Sequence, residues 1–443
     1  MTGREAAERG TGGGGLAGRD VTGTFLRWTF LRSVFHRGYV LVSGLYFVIT
    51  AHLSAWQLLV LGTVLSVTLL ASDIPTGVWS DAVSRKWPLV AGHAFLAAGM
   101  VMTGLVTTLP LLAVTQVLWG IGWGFSSGAD VAWITDELGQ PGRIARVLTA
   151  RARWDSVGSA AGMAAFGALG WAAGLAAATV ASGMGIALVG VFVAARFAED
   201  NFTPVRVPRW GASLVILRRG VALARGDHEI LLMFAATTLI NAASMVNWLF
   251  AKQLIDRGFP GDPVLWYTAL GILSFALGAA ALRLVEVRID GPGVARRAYV
   301  LACLTGVAGL IVLACAPDAL VGSIGVLLAN GIAFTVTRAV SVIWVNQRTS
   351  SDVRATMHSF LSQAECAGEI ASGIPLAGLA GIAGIPAALF ASAAITASAG
   401  AAVARSRRRP DRRLGVCPRY HSRHWRLSGR ADDVRRKGTG GGR

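Results

Sequence analysis

The chain is 443 residues long, 53% hydrophobic and only 15% charged, with a formal net charge of +17. Soluble domains carry about 25% charged residues, so this composition excludes an ordinary soluble fold. It also argues against a nucleic-acid face: residues 405–443 hold +11 of the charge, Lys occurs only at 86, 252 and 437, and the remaining +6 lies mostly in short loops. No nucleic-acid partner is expected.

In chain order, residues 1–22 are Gly-rich and mixed in charge, too poor in apolar groups to build a core. A cleaved signal peptide is not expected, because no apolar core precedes about residue 38. Twelve apolar spans follow, at 34–53, 56–78, 88–107, 110–134, 154–172, 175–196, 229–250, 264–284, 295–315, 319–344, 356–379 and 382–404. Each is long enough to cross ~30 Å of hydrocarbon as a helix. The connectors at 53–56, 107–110, 172–175 and 379–382 are so short that their spans must be antiparallel neighbours. Arg and Lys cluster in the N-terminal flank and after the even-numbered spans, for example Arg85/Lys86, Arg143/Arg146, Arg218/Arg219, Arg296/Arg297 and Arg348/Arg354. Positive loops stay in the cytoplasm, which puts both termini there. Trp56, Trp87, Trp154, Trp171 and Trp266 stand at span ends, as interfacial anchors do.

The longest interior polar stretch, 198–228, alternates Trp210, Leu214 and Leu217 with Arg209, Arg218 and Arg219, the pattern of a basic amphipathic helix on a membrane surface. It divides the chain into 1–22, a first six-helix bundle 23–197, the linker 198–228, a second six-helix bundle 229–404 and a basic tail 405–443. The tail reads as a disordered cationic segment at anionic lipid headgroups. Its Cys417, His421 and His424 are too few for a metal site, and Cys303, Cys315, Cys366 and Cys417 contain no Cys-x-x-Cys. No cofactor or metal is expected.

Between spans two and three lies Gly77-Val78-Trp79-Ser80-Asp81-Ala82-Val83-Ser84-Arg85-Lys86, preceded by Asp73-Ile74-Pro75. This segment resembles the major facilitator superfamily of secondary transporters, whose first half carries Gly-x-x-x-Asp-Arg-x-Gly-Arg-Arg/Lys at this place. Gly77, Asp81, Arg85 and Lys86 match; Ala82 and Ser84 depart. The resemblance implies an all-α integral membrane fold, with twelve helices in two six-helix bundles related as repeats. It also implies a conformational gate at Asp73, Gly77, Asp81, Arg85 and Lys86. The alternative for the hairpin is a solvated turn with a helix cap.

Ionisable groups inside a span are costly and mark function by default. Glu365 and Glu369 in span eleven share a helix face and lie ~14–20 Å from its start at 1.5 Å per residue. They are candidates for proton coupling or substrate binding; alternatively each bonds a neighbouring helix with no proton turnover. In span four, Gln116, Trp123 and Asp130 recur every seven residues and so line one side. Family members commonly have Arg where Gln116 stands, and Asp130 occupies nearly the place of an acidic residue found in some members. Trp119 and Trp123 are placed to stack on an aromatic or cationic substrate, or to pack against lipid or a helix. Asn241 and Asn247 in span seven are open to the same two readings. Arg338 is expected to snorkel to the membrane edge, and the lone His93 to be a packing residue. Span five has Gly158 and Gly162 in small-x-x-x-small spacing, a surface for close helix approach.

No enzyme constellation is found. Gly124–Gly128 fits Gly-x-Ser-x-Gly but lies inside a span, His228-Glu229 lacks the second His of a zinc motif, and no Gly-x-x-x-x-Gly-Lys-Ser/Thr is present. The expected function is a secondary transporter in the plasma membrane, a monomer among lipids. It moves a small amphipathic molecule outward with the proton as coupling ion; the alternative is an uptake symporter for a small metabolite.

Overall fold

A computed structural model describes residues 20–202, 221–222, 225–286, 293–349 and 354–406. Side chains of Ile74, Val78, Asp81, Ala82, Pro141, Arg354 and Ala355 lie outside that description. So do most of the expected linker helix and nearly all of the basic tail, with Cys417, His421 and His424. Residues 1–404 form one compact unit and 405–443 a second, in which Arg405 and Ser406 alone are described.

The described chain is built of helices. They are α1 (Val21–Leu45), α2 (Ala55–Ala82), α3 (Lys86–Thr103), α4 (Leu109–Ser126), α5 (Ala129–Leu138), α6 (Pro141–Ala173), α7 (Leu175–Arg196), α8 (His228–Ser244) and α9 (Asn247–Arg257). They continue with α10 (Pro263–Glu286), α11 (Val294–Cys315), α12 (Ala319–Val326), α13 (Thr335–Arg348), α14 (Arg354–Ala383) and α15 (Ile385–Arg405). Two wide π-helical stretches prolong these elements, Tyr46–Thr50 after α1 and Leu327–Phe334 between α12 and α13. Among the described residues, nine helical segments are long and apolar enough to cross a membrane. Their outer faces carry what water would not tolerate in quantity: Leu188, Val191, Leu301, Leu304 and Ile382 are all more than 60% exposed. Such a belt suits hydrocarbon, where helices are the open-chain structures that satisfy every backbone group.

Several elements differ from expectation for identifiable reasons. α1 begins at Val21, well before 34, because Asp20 caps it by accepting from Gly23 N at 2.7 Å and because Phe25 and Trp28 are fully buried. α6 begins at Pro141, thirteen residues ahead of the expected span, its first turns hidden in sequence by Arg143, Arg146, Arg151 and Arg153. Span four is broken: Gly128 adopts φ 78°, a left-handed conformation that ends α4 and starts α5. The heptad run from Gln116 to Asp130 therefore does not continue as one helical face.

Helix pairs approach closely where the side chain is absent. A Cβ on Gly158 would sit 2.6 Å from the Phe30 carbonyl oxygen, and one on Gly162 would land on that of Val34, so α6 lies against α1 as its small-residue spacing foretold. In the second half of the chain Gly368 of α14 meets the Thr238 carbonyl of α8 in the same way. Gly92 and Gly122 join α3 to α4, and Gly309 and Gly325 join α11 to α12.

The end of the molecule holding the Val83–Arg85 connection is here called the hairpin end, the opposite one the distal end. The first half (α1–α7) and second half (α8–α15) meet on the distal side. Phe47 stacks on Trp248 with centroids 6.2 Å apart, Gly62 abuts Trp248 and Met245, Gly373 abuts Thr63, and Gly167 abuts Thr268.

Candidate functional site

The polar groups of the second half gather around Arg338. Its Nη2 donates to Glu365 Oε2 and to Asn241 Oδ1, each at 3.2 Å. Arg338 does not pair with Asp73 or Asp130 among the described contacts; its partner comes from α14, one helix away. Asn241 is buried, and its Nδ2 donates to Thr237 O of its own helix at 2.9 Å. One turn beyond Glu365, Glu369 accepts from Ser66 Oγ of α2 at 2.6 Å. The two acidic residues of span eleven thus point to different partners, one inside the second half and one across the seam to the first. Asp73, on α2 and half-buried, carries a backbone carbonyl that accepts from Thr76 Oγ1 at 3.2 Å.

A cavity of about 390 Å³ opens beside Arg338. Its polar lining is Asn241, Ser244, Asn247, Asn330, Thr335 and Arg338. Asn330 reaches it because the π-helical stretch re-aims the turn, and Thr335 Oγ1 satisfies the Asn330 carbonyl at 3.0 Å. The volume falls within the range of small-molecule sites, about 300–1,000 Å³.

The first half has a different centre. Trp119 and Trp123 stack on each other at 5.3 Å and 7°, and the His36 ring lies over both, at 5.5 and 5.0 Å. Arg32 stands 5.0 Å from the Trp123 ring and 5.5 Å from Trp28, a cation–π arrangement on both sides. Sequence reasoning missed Arg32 and His36 as partners of these tryptophans. The signal available was their i,i+4 spacing on α1, which sets both on one face. Gln116 is buried, its Nε2 donating to Thr115 Oγ1 at 3.2 Å. Asp130 is buried in an ion pair with Arg151 of α6. His93 is fully buried and accepts from Trp28 Nε1 at 3.2 Å, a packing residue as expected.

The hairpin is shorter than its motif. Helix α2 runs to Ala82, so Gly77 lies within a helix, and only Val83–Arg85 turn. Arg85 Nε donates to Asp136 of α5 at 3.2 Å. The partner that sequence did not reveal is Glu199, just past α7. It accepts from Ser84 Oγ at 2.7 Å, from Lys86 N at 2.9 Å and from Arg85 N. Ser84 Oγ in turn accepts from Trp87 N at 3.0 Å. A carboxylate on the free N–H groups of α3 is favoured by both the hydrogen bonds and the helix dipole. The Ser at 84 is therefore a working part of the turn. Lys86 leans on the Trp87 ring, 5.5 Å from its centroid. The expected cap or pair of Asp81 lies outside the described residues. Among the described residues no group of three His, Cys, Asp or Glu side chains is placed to hold a metal ion.

These features belong to a polytopic membrane protein with a polar centre in its second half. The chain belongs to the Major Facilitator Superfamily, whose family model matches residues 16–373, and it is a transporter, not an enzyme. Similar solved structures bear out the fold. The nucleoside transporter NupG shares 13% identity at a TM-score of 0.70, covering 88% of this chain and 100% of that one. A bacterial homolog of the human lysosomal transporter Spinster, in an inward-facing and unoccupied conformation, shares 15% identity at 0.68, covering 86% and 95%. A POT family transporter in complex with 5-aminolevulinic acid shares 11% at 0.65, covering 86% and 95%. A search of curated proteins by sequence finds no match.

Proposed function

We propose that the chain is a proton-coupled secondary transporter that moves an amphipathic small molecule outward across the plasma membrane by alternating access. In this reading twelve helices form two bundles, 23–197 and 229–404, joined by the linker 198–228. The hairpin end faces the cytoplasm with both termini, because the basic loops collect there. The contacts between halves on the distal side then correspond to a closed outer face. The protein works as a monomer among lipids. Arg85 and Lys86, held by Asp136 and Glu199, brace the inner gate together with Asp73, Gly77 and Asp81. Gln116, Trp119, Trp123 and Asp130 belong to the packed frame of the first half, since their partners are protein groups.

The observation that carries the coupling role is the bond from Ser66 to Glu369, 2.6 Å long and spanning the two halves. A carboxylate there accepts from Ser66, whereas a protonated carboxyl competes as a donor, so protonation acts where the halves separate. The Arg338–Glu365 pair places a second acidic group one turn away, beside the cavity. Cavity and cluster contain apolar as well as polar walls, which suits an amphipathic cargo.

The test is pH-gradient-driven accumulation of amphipathic compounds in inverted vesicles, comparing wild type with Glu365→Gln/Glu369→Gln. We expect the double variant to lose accumulation while downhill movement persists. Coupling that survives unchanged removes these residues from the mechanism. Uptake of a small metabolite by symport, the other direction open to this fold, gives the opposite sign in the same vesicles.

A further inference from the structure

Arg338 is only partly used by its neighbours. Both of its protein hydrogen bonds run through one nitrogen, Nη2, and its Nε and Nη1 have no partner among the described residues. Its side chain is 58% exposed, against 23% for Glu365 behind it. The cavity therefore presents the guanidinium and not the carboxylate, and Arg338 is the one charged group among its lining residues. The free Nη1 hydrogens of this cation can donate to a carboxylate oxygen, and the full charge favours an anionic acceptor.

A second observation, independent of the first, concerns a residue that lines the same cavity. Asn247 Oδ1 is buried with no hydrogen-bond partner. A buried acceptor in that state is costly, and the group that relieves it must donate an O–H or N–H. Between the two poles the walls are Ile240, Leu282 and Phe334, which offer apolar surface to a carbon frame.

With the transporter reading as premise, we infer that this cavity binds organic anions whose carboxylate pairs with Arg338 and whose hydroxyl or amino donor meets Asn247 across an apolar body. An organic cation is disfavoured on the same geometry, because it would meet Arg338 before it reached Glu365. A neutral solute could accept a hydrogen bond from Arg338 but would leave its charge uncompensated.

The experiment is ligand-induced thermal stabilisation of the purified full-length protein in lipid nanodiscs. Its probes are 4-hydroxyphenylacetate, the isosteric 4-hydroxyphenylacetamide, the cation tyramine, and phenylacetate, which lacks the hydroxyl. The carboxylate should bind about tenfold or more tightly than the amide or the amine, the range expected for hydrogen bonds to a charged group. Arg338→Gln should erase that preference, and Arg338→Lys should keep its sign at lower affinity. Asn247→Ala should abolish the advantage of 4-hydroxyphenylacetate over phenylacetate and leave the carboxylate preference intact.

Preference for tyramine, equal binding of all three charge types, binding by none of the four, or a carboxylate preference that survives Arg338→Gln would each overturn the inference. Failure of the premise is distinguishable. A carboxylate that binds with this pattern but is not moved across proteoliposomes overturns transport and leaves the site standing. Transport of other compounds without anion binding does the reverse.

Discussion

The two halves of the molecule share a scaffold and differ in what they place at its centre. Glycines let α6 approach α1 in the first half and α14 approach α8 in the second, and matching glycine contacts join α3 to α4 and α11 to α12. Within those frames the first half closes its centre with stacked rings, His36 on Trp119 and Trp123 with Arg32 alongside. The second half leaves a polar cavity under a partly free guanidinium. Backbone packing can thus repeat while the chemistry diverges: small residues decide how helices meet, and the side chains that remain are free to specialise. The first half also holds the hairpin, so it combines a packed centre with the braced turn. The second half holds the cavity and the acidic pair, of which Glu369 reaches back across the seam.

The comparison is broken most severely at the shared scaffold. Gly162→Val and Gly368→Val each drive a side chain into a carbonyl oxygen of the neighbouring helix, where overpacking costs about 1–3 kcal/mol even before backbone is involved. Both should abolish a monodisperse peak in size-exclusion chromatography. Gly378→Val, where a new Cβ meets nothing within 4 Å, should leave the peak unchanged. A milder break separates the halves. Glu199→Ala removes the acceptor of the α3 N-terminus and should lower stability by about 1–3 kcal/mol. Hydrogen exchange should quicken at the Arg85 and Lys86 amides, and those of α11 and α13 should keep their rates. The smallest effect sharpens the contrast. Trp119 Nε1 is buried without a partner, so Trp119→Phe loses no hydrogen bond, keeps a ring against His36, and should move the melting temperature by no more than about 1 kcal/mol allows.

Much of the fold was legible because membrane helices are written in composition. α7 occupies the residues expected for span six, 175–196, an apolar run that Gly174 opens and Arg196 closes. Where Arg residues ride on a helix the edges were lost: α1 and α6 both start earlier than hydropathy suggests, with Arg32 stacked on aromatic rings and Arg151 paired with Asp130. The heptad from Gln116 to Asp130 failed for a local reason, the left-handed Gly128, which no periodicity count detects. At the site, Glu365 and Glu369 stood out as charges inside a span. Their partners did not, because Arg338 is 27 residues from Glu365 and Ser66 is 303 from Glu369. Glu199 was invisible for the same reason, being 113 residues from Lys86. Sequence shows which groups are out of place in hydrocarbon, and only the fold shows which partner makes each tolerable.

Glu199 has one more consequence, which lies in the path of the chain itself. It sits three residues past the end of α7, at the head of the covalent segment that leads from one half to the other. The carboxylate that steadies the start of α3 is therefore threaded on the only strand of chain connecting the halves. In the alternating-access reading proposed above, that segment is a tether between the moving halves, and the turn between α2 and α3 is one of its anchors.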